Sequence, residues 1–407
     1  MASDFMSNIN EFSLNNRMHV ITYNKTTSNV CSVRVGFKLP ISVEEENKIG
    51  LRNLLIHVMT RNTKNYNSRE LPIAIESIGG NISPIVSKDY IGVSGVSLCR
   101  YTPELINIIK DILYNPSFEG FEEEKNIALQ QSKAVKDVWS EAMEMWIFRS
   151  LKTKYRYETI GYPDTIKNIK KDDIINLYNK YFAGNNLVFV LAGNLDNIDN
   201  LDNVIREFDI DMGKKYTLSS PVEPPLTENF YTENRNVDTS AFVLGIDAPQ
   251  KKSDDYIDWL FFSTYLSNKM DDEIRQKRGL AYSAASSLLS MISNSYLVVR
   301  SDISSSSNID DALNIAKDYL TKDYIANINT QDFNLVRNMV VGSLSRSNQT
   351  SSEIASTLLS NYLNNIALDY YEKLLEKAKK VVLADIISLQ YVIPKKPQSI
   401  IEIIGKN

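Results

Sequence analysis

The stretch from Gly50 to Lys64 reads GLRNLLIHVMTRNTK, and the fold of the first half of the chain follows from it. Apolar residues recur along it at helical spacing and form one stripe: Leu51, Leu54, Leu55 and Val58. This period is typical of an amphipathic helix that packs one face into a core. The stretch therefore predicts a helix that is built into its domain through the leucine stripe.

The same helix has the spacing of an inverted zinc motif, H-x-x-E-H, without its chemistry. In that motif two histidines at i and i+4 bind Zn²⁺, and the glutamate at i+3 is the general base for the metal-bound water. The three positions hold Asn53, Ile56 and His57. Asparagine is a weak zinc ligand and isoleucine cannot take a proton. Because His19 is the only other histidine of the chain, the sequence predicts that no zinc is bound at this site.

Strand patterns precede this helix, and helices and a strand follow it. The alternation of apolar and polar residues predicts strands over 18–23, which contains His19 as a partly buried and hydrogen-bonded histidine, and over 30–37. Thr102-Pro103-Glu104 predicts a helix start, because a capping hydroxyl, a first-turn proline and an acidic residue all favour a helix N-terminus. Further predicted elements are one long helical run over 121–151, a helix over 172–181 and a buried strand over 187–192.

A proline-rich connection divides the chain. Ser219 to Leu226 reads SSPVEPPL and is typical of a stiff, exposed linker, so the predicted domains are 1–218 and 227–407. The second half repeats the order of the first, with predicted strands over 242–246, 281–289, 295–302 and 400–404 and helices between them. We therefore predict an α+β fold of two similar domains, each a mixed and mostly antiparallel sheet with helices packed on one face.

Composition excludes several classes of protein. The net charge of −5 and the lack of a dense basic block argue against nucleic-acid binding. No apolar run approaches the ~18 residues of a membrane span, and residues 1–16 lack the features of a signal peptide. The two cysteines, Cys31 and Cys99, are too few for a disulfide framework, so we predict buried free thiols and a cytoplasmic protein.

Five segments carry a family resemblance. They are GLRNLLIHVMTRNTKNYNSRELPIAIESIGG (50–80), SKDYIGV (87–93), GYPDTIKNI (161–169), YNKYFAGNNLVFVLAGNL (178–195) and EIRQKRGLAYSAASSL (273–288). The chain is similar in these segments to the pitrilysin, insulinase and mitochondrial processing peptidase family, especially to its small bacterial two-domain members. The resemblance extends over nearly the whole chain and implies a duplicated pitrilysin-like domain.

The resemblance implies that the metal site is lost. The first zinc histidine of the family falls on Asn53, the catalytic glutamate on Ile56 and the second histidine on His57. The distal zinc glutamate falls on Gln131, whereas the supporting acidic position is kept as Glu124. Three of the four chemical positions are thus replaced, and we expect Asn53, His57 and Gln131 to form a hydrogen-bonded cluster of amides and imidazole instead.

A second set of family positions is kept. In the family an arginine and a tyrosine seven residues apart contact a peptide that lies at the zinc, and the matching residues are Arg275 and Tyr282. A guanidinium can hold a peptide carbonyl by two hydrogen bonds, and a phenol can donate to the developing oxyanion. The alternative is structural, with Arg275 in a surface ion pair with Glu273 or Asp272 and Tyr282 packed in a strand.

These positions lead to two hypotheses. The first is a non-catalytic, substrate-binding subunit of a heterodimeric zinc metallopeptidase, which offers Arg275 and Tyr282 to a peptide at the zinc of a partner with an intact H-x-x-E-H motif. This subunit needs no cofactor of its own and cleaves nothing alone, and the pair processes peptides or leader peptides. The segment that binds substrate as an added strand in active members holds Pro84, which lacks an N–H. The alternative is a structural or peptide-binding scaffold with no role in catalysis.

Overall fold

A computed structural model describes residues 2–134, 136–210 and 218–406 of the chain. The strands are β1 Ile9–Ser13, β2 His19–Asn24, β3 Val30–Lys38, β4 Asn81–Val86, β5 Tyr90–Leu98, β6 Leu187–Gly193, β7 Asn229–Asn234, β8 Ser240–Ala248, β9 Ala281–Ser290, β10 Ser295–Ile303 and β11 Ser399–Ile404.

The helices of the first half of the chain are α1 Ala2–Ser7, α2 Leu51–Arg61, α3 Glu70–Ser77, α4 Thr102–Tyr114, α5 Phe121–Ser132, α6 Val138–Ser150, α7 Pro163–Asn168, α8 Lys171–Tyr181 and α9 Leu201–Arg206. Those of the second half are α10 Tyr256–Met270, α11 Ile309–Asp318, α12 Lys322–Ala326, α13 Thr330–Arg346, α14 Ser351–Leu363, α15 Tyr370–Ala378 and α16 Leu383–Ser388. A π-helical segment, Asp271–Lys277, continues α10.

Two sheets that share the topology of five strands confirm the predicted duplication, and the first sheet has β1 as an additional edge strand. The first has the order β1-β2-β6-β3-β5-β4 and the second the order β7-β11-β8-β10-β9. Each contains one parallel pair, β2 with β6 and β7 with β11, and is otherwise antiparallel. Each ends in a hairpin whose last strand, β4 or β9, lies at the edge. The α+β class with two similar, mostly antiparallel domains is thereby confirmed.

The chain crosses between its two compact units more often than the linker predicts. The first unit comprises the described residues of 1–134, 157–220 and 347–372, and the second those of 135–156, 221–346 and 373–407. The crossing at 220–221 falls inside the predicted linker. The other crossings differ from the simple division into 1–218 and 227–407, because each half of the sequence gives one helix to the unit built mainly from the other half.

Helix α6 is the element that the first half contributes to the second unit. The predicted helical run over 121–151 is two helices, because Asp137 caps a new start by accepting a hydrogen bond from the Ser140 N–H at 2.6 Å. The buried Trp146 donates its indole N–H to the Ser399 carbonyl at 2.9 Å. At Gly245 a Cβ would lie 2.1 Å from the Trp146 ring, so the glycine makes room for the indole.

Helix α14 makes the reciprocal contribution to the first unit. Successive residues of β6 alternate between two cores: Leu187, Phe189 and Leu191 pack with α2 and α4, while Val188, Val190 and Ala192 pack with α14. A Cβ at Gly36 of β3 would lie 2.6 Å from Leu359, so this glycine lets α14 lie close to the sheet. The first sheet therefore has helices on both faces, where the sequence predicts helices on one face.

The prediction of free thiols is wrong. Cys31 and Cys99 form a buried disulfide with a Cα–Cα distance of 4.8 Å. Cys31 lies near the start of β3 and Cys99 directly after β5, and the antiparallel pairing of these strands brings the two ends together. A separation of 68 residues hides this proximity in the sequence.

Candidate functional site

A buried ion pair fixes the N-terminus of α2, the helix with the altered zinc motif. The Glu44 carboxylate accepts hydrogen bonds from the backbone N–H groups of Gly50 at 3.1 Å and Arg52 at 2.6 Å. The Arg52 guanidinium donates to the carbonyls of Leu39 at 2.6 Å and Ser87 at 3.0 Å. Both charged side chains are fully buried. Helix α2 is thus tied to the ends of β3 and β4 by satisfied backbone groups.

The three motif positions on α2 differ in their exposure. Asn53 and Ile56 are 8% and 2% exposed, and Ile56 belongs to the hydrophobic core of the first unit. His57 is partly buried. Burial lowers the pKa of the His57 imidazole, and the Glu124 carboxylate opposes this shift. Burial thus favours the neutral form of the imidazole, and the helix carries no carboxylate at these three positions.

The fourth position lies on another helix, α5. Gln131 is exposed on α5, and within the described ranges no hydrogen bond joins it to Asn53 or His57. The expected cluster of amides and imidazole is therefore absent from the described part of the chain. Glu124, the supporting acidic position of the resemblance, forms an ion pair with Arg61 of α2 at 2.7 Å.

These residues do not fit a zinc ion. One imidazole and two amides do not make the set of nitrogen, thiolate and carboxylate ligands that Zn²⁺ takes in proteins. Among the described residues, no group of three or more His, Cys, Asp and Glu side chains is arranged to hold a metal ion. The positions on α2 therefore lack the ligand set of a zinc site.

The edge strand β4, beside this helix, lacks one backbone hydrogen-bond donor. The Ser87 N–H donates to Tyr90 O at 2.9 Å and so points toward β5. Because amide directions alternate along a strand, positions 82, 84 and 86 point to the open edge. Pro84 occupies the middle one of these three positions. A strand added at this edge would therefore receive no backbone hydrogen bond from position 84.

Arg275 lies on irregular backbone in the second unit. It belongs to the π-helical segment 271–277, whose wider turn is rare and occurs frequently at functional sites. The guanidinium is 48% exposed and makes one ion pair, Nη1 to Asp271 Oδ1 at 3.0 Å. This bond lowers the pKa of Asp271. The predicted structural partners, Asp272 and Glu273, instead bind Lys277, each at 2.8 Å.

Tyr282 also lies at a backbone irregularity. On β10, Asp302 pairs with Ser283 and Ile303 pairs with Ala281, so Tyr282 has no partner and forms a β-bulge. Bulges at sheet edges re-aim side chains and are frequent next to active sites. Tyr282 is 65% exposed, and its hydroxyl has no hydrogen-bond partner among the described residues. The structural alternative requires Tyr282 to be packed in the strand, and it is not.

Sequence patterns do not reveal the two irregularities that hold this pair. Gly279 lies between the two irregularities and is a residue typical of helix ends. Its φ is +64°, in the left-handed region. Its N–H donates to Arg275 O at 3.1 Å, and the next N–H, of Leu280, donates to Ile274 O at 2.9 Å. The reversal of the chain at Gly279 therefore fixes the backbone that carries both candidate residues.

His19 has the structural role predicted for it. Its Nε2 lies 3.0 Å from Glu11 Oε2, and its ring stacks on Tyr362 with centroids 4.1 Å apart. The imidazole is partly buried in β2 and is hydrogen-bonded. It therefore takes no part in the arrangement on α2.

Two family sequence patterns match the chain. The pattern of insulinase, peptidase family M16, matches residues 19–163, and the pattern of the peptidase M16 inactive domain matches residues 168–340. The two matches meet near the middle of the chain and together cover most of it.

Known proteins of both kinds, named as proteases and as inactive homologues, are similar to the chain. An uncharacterized zinc protease of Rickettsia bellii is 22% identical over 292 residues, which are 69% of this chain and 69% of that protein. The non-peptidase homolog YmxG of Helicobacter pylori is 22% identical over 376 residues, 87% of this chain and 84% of that protein. The crystal structure of a peptidase M16 inactive domain from Pseudomonas fluorescens has a TM-score of 0.88 at 15% identity and covers 98% of this chain and 99% of that one.

Proposed function

The chain belongs to the insulinase family, peptidase family M16, as a non-catalytic member, and from this premise we propose that it is the substrate-binding subunit of a zinc metallopeptidase heterodimer. The partner subunit supplies an intact H-x-x-E-H motif and its zinc ion. This chain supplies Arg275 and Tyr282 to a peptide held at that zinc. The substrates are peptides or leader peptides.

One contrast supports the proposal. The zinc positions carry Asn53, Ile56 and Gln131, of which two are buried on α2, while Arg275 and Tyr282 stay exposed. An exposed tyrosine on a bulge and an exposed arginine on a π-helical turn do little for packing, so their retention needs another explanation. Only one guanidinium nitrogen of Arg275 is engaged by a described residue. The remaining donors suit a peptide carbonyl, and the free phenol suits an oxyanion.

Reconstitution tests the proposal directly. The purified chain alone should bind no stoichiometric zinc by metal analysis and should cleave no peptide library. Mixed with an M16 relative from the same genome that has an intact H-x-x-E-H motif, it should restore cleavage that a chelator abolishes. In the mixture, Tyr282→Phe should lower kcat by about 100-fold, because one oxyanion donor is lost. Arg275→Ala should lower kcat/KM through weaker binding of the peptide backbone.

Matched variants separate this effect from damage to the fold. Tyr391 is 59% exposed and Arg278 is exposed beside the π-helical segment, so Tyr391→Phe and Arg278→Ala should leave turnover unchanged. All four variants should keep the wild-type free energy of unfolding within about 0.5 kcal/mol, as surface substitutions do. Chelator-sensitive hydrolysis by the purified chain alone would contradict the proposal.

The scaffold hypothesis gives a different result in the same experiment. A protein that only binds or organises its partner would still form the complex. The Arg275 and Tyr282 variants would then leave kcat of the complex at the wild-type value. Equal turnover of all four variants in a stable complex would therefore replace the catalytic proposal with the scaffold function.

The disulfide suggests a different compartment from the predicted cytoplasm. Disulfides persist in oxidising compartments and are rare in the cytosol, so Cys31–Cys99 favours an oxidising one. No described helix is long and apolar enough to cross a membrane. Acid-quenched cells, denatured and treated with a maleimide polymer, should show two modified thiols only after reduction. Two modified thiols without reduction would restore the cytoplasmic assignment.

A further inference from the structure

The first unit contains a cavity of about 410 Å³ that is separate from the site on α2. Its lining comes from the end of β3, from the start of β6 with the two residues before it, and from the end of α14 with the residues that follow. Gly36 of β3 faces α14, and Lys38, two residues further on, shares that face. The cavity therefore opens on the α14 side of the sheet, whereas α2 packs on the opposite side.

The polar part of the lining favours an anion. Lys38 is the charged residue among those that line the cavity, and no described carboxylate forms an ion pair with it. The other polar groups include three amides, from Asn185, Asn186 and Asn365. The Glu11 carboxylate is close enough to contribute to the raised pKa of the Tyr362 hydroxyl. Its Oε2 lies 3.0 Å from His19 Nε2. An ammonium without a counter-ion among neutral amides is suited to a carboxylate ligand.

The remaining lining suits an apolar side chain with an amide beside it. Val188, Leu363, Ile366 and Leu368 supply hydrocarbon surface. The Asn186 side chain is buried and donates its N–H to Tyr181 O at 3.0 Å, so its oxygen is left to accept a hydrogen bond. A ligand that combines a carboxylate, an adjacent N–H and an apolar side chain matches all three kinds of group.

The wall of the cavity is held in place by its own hydrogen bonds. The buried Asn361 side chain donates from Nδ2 to Ala367 O at 3.2 Å, and the Asn361 backbone carbonyl accepts from the Ile366 N–H at 2.8 Å. Asn365 takes the left-handed conformation, φ +53°, that turns the chain there. The loop after α14 is thus shaped before any ligand arrives, which lowers the entropic cost of binding.

We propose that this cavity binds the α-carboxylate end of an apolar residue, with the carboxylate at Lys38, the adjacent N–H at Asn186 and the side chain against Val188 and Leu363. A volume near 400 Å³ lies within the usual range for small-ligand sites, about 300–1,000 Å³. The ligand is the C-terminus of a peptide or a free apolar amino acid, since both present this chemistry. The inference does not depend on Arg275 or Tyr282.

Calorimetric titration of the full chain tests the site with three probes. Nα-acetyl-alanyl-leucine should bind at least about tenfold more tightly than its C-terminal amide, because the amide lacks the charge that Lys38 recognises. Free leucine is the third probe: tighter binding of the dipeptide identifies a peptide C-terminus, and tighter binding of leucine identifies a free amino acid.

Three variants locate the binding. Lys38→Met should weaken binding of the acid at least about tenfold, and Lys64→Met, at an exposed lysine of the same unit, should not change it. Ala367→Phe keeps Lys38 but fills the mouth of the cavity, so it should abolish binding. A melting temperature equal to that of the wild type shows that each variant is folded. Equal binding of acid and amide, wild-type binding by Lys38→Met, or no binding of any probe at about 10 mM would overturn the proposal.

Discussion

Helix α2 of the first unit and the segment from Asp271 to Tyr282 of the second unit both carry family motifs, and they are built in opposite ways. Helix α2 is regular and buried, and Glu44 and Arg52 tie it to two strands. The other segment is a π-helical turn followed by a bulge, with its motif residues in solvent. In α2 the motif chemistry is gone and the packing is kept. In the second segment the motif residues Arg275 and Tyr282 are present and exposed.

The motif residues of the two regions therefore differ in what they contribute to stability. The leucine stripe of α2 fills the core of the first unit, so the helix must remain whether or not it binds a metal. Exposed side chains on irregular backbone add little to stability, and the irregular backbone itself costs free energy. We therefore expect substitutions in α2 to lower the free energy of unfolding, and substitutions of Arg275 and Tyr282 to leave it nearly unchanged.

The largest expected effect comes from restoring the family glutamate on α2. Ile56→Glu should destabilise the fold by about 4 kcal/mol, because it places an unpaired carboxylate in the hydrophobic core. Chemical denaturation monitored by circular dichroism measures this change. Ile127→Glu, on the exposed side of α5, is the control and should change stability by less than about 0.5 kcal/mol. Equal stability of the two variants would mean that α2 still has an open active-site pocket.

The next effect is expected at the anchor of α2. Glu44→Ala should cost about 3 kcal/mol, because it leaves the buried Arg52 guanidinium without its carboxylate and two helix N–H groups without an acceptor. Glu45→Ala removes an adjacent carboxylate that is 72% exposed and should have almost no effect. The same denaturation experiment compares them. A loss below about 1 kcal/mol at Glu44 would show that α2 does not depend on this ion pair.

A smaller effect of known sign is expected at the turn before Tyr282. Gly279→Ala should cost about 1 kcal/mol, because the residue is in the left-handed region although a Cβ would meet no atom within 4 Å. Gly342→Ala, inside the regular helix α13, should instead stabilise by up to about 1 kcal/mol. Thermal unfolding should show a lower melting temperature for Gly279→Ala and a higher one for Gly342→Ala, which would distinguish the irregular backbone from the regular helix. A neutral Gly279→Ala would show that the turn is not strained by a side chain.

The smallest effect on stability is expected at the edge of the first sheet. Pro84→Ala should change the free energy of unfolding by less than about 0.5 kcal/mol, yet it restores an N–H that points to open solvent. Sedimentation velocity at high protein concentration should then show more self-association than in the wild type, because the edge can pair with another strand. Ser83→Ala is the control, since position 83 directs its amide to β5. Identical sedimentation of the two variants would show that Pro84 does not protect the edge.

Local patterns were sufficient to predict most elements of the fold. The helix start at Thr102, the strand that begins at Leu187 and the helix across Asn53 and His57 all depend on residues within one or two turns. The repeated order of elements was sufficient for the duplication. The candidate residues Arg275 and Tyr282 were found through the resemblance alone, since an arginine near acidic residues and a strand tyrosine are common.

The other features depend on contacts that sequence patterns do not show. Trp146 bonds to Ser399, 253 residues away, and Ser351 bonds to Ser28, 323 residues away, so the exchange of α6 and α14 has no local trace. The Cys31–Cys99 bond depends on strand pairing in the same way. The bulge at Tyr282 and the π-helical turn at Arg275 each shift a register by a single residue, which the periodicity of a short segment cannot resolve.

The exchange of α14 also sets the order in which the protein can fold during synthesis. The ribosome releases the strands of the first sheet within the first 193 residues, but the helix that covers their second face ends only at Leu363. In the folded protein α14 buries Val188, Val190 and Ala192, and apolar surface that lacks its covering helix is prone to aggregation. Domains usually fold one after another from the N-terminus, whereas here the first unit is completed after most of the second has been made. A fragment that stops at the proline-rich connection would therefore be an unfinished sheet that needs α14, supplied in trans, to become soluble.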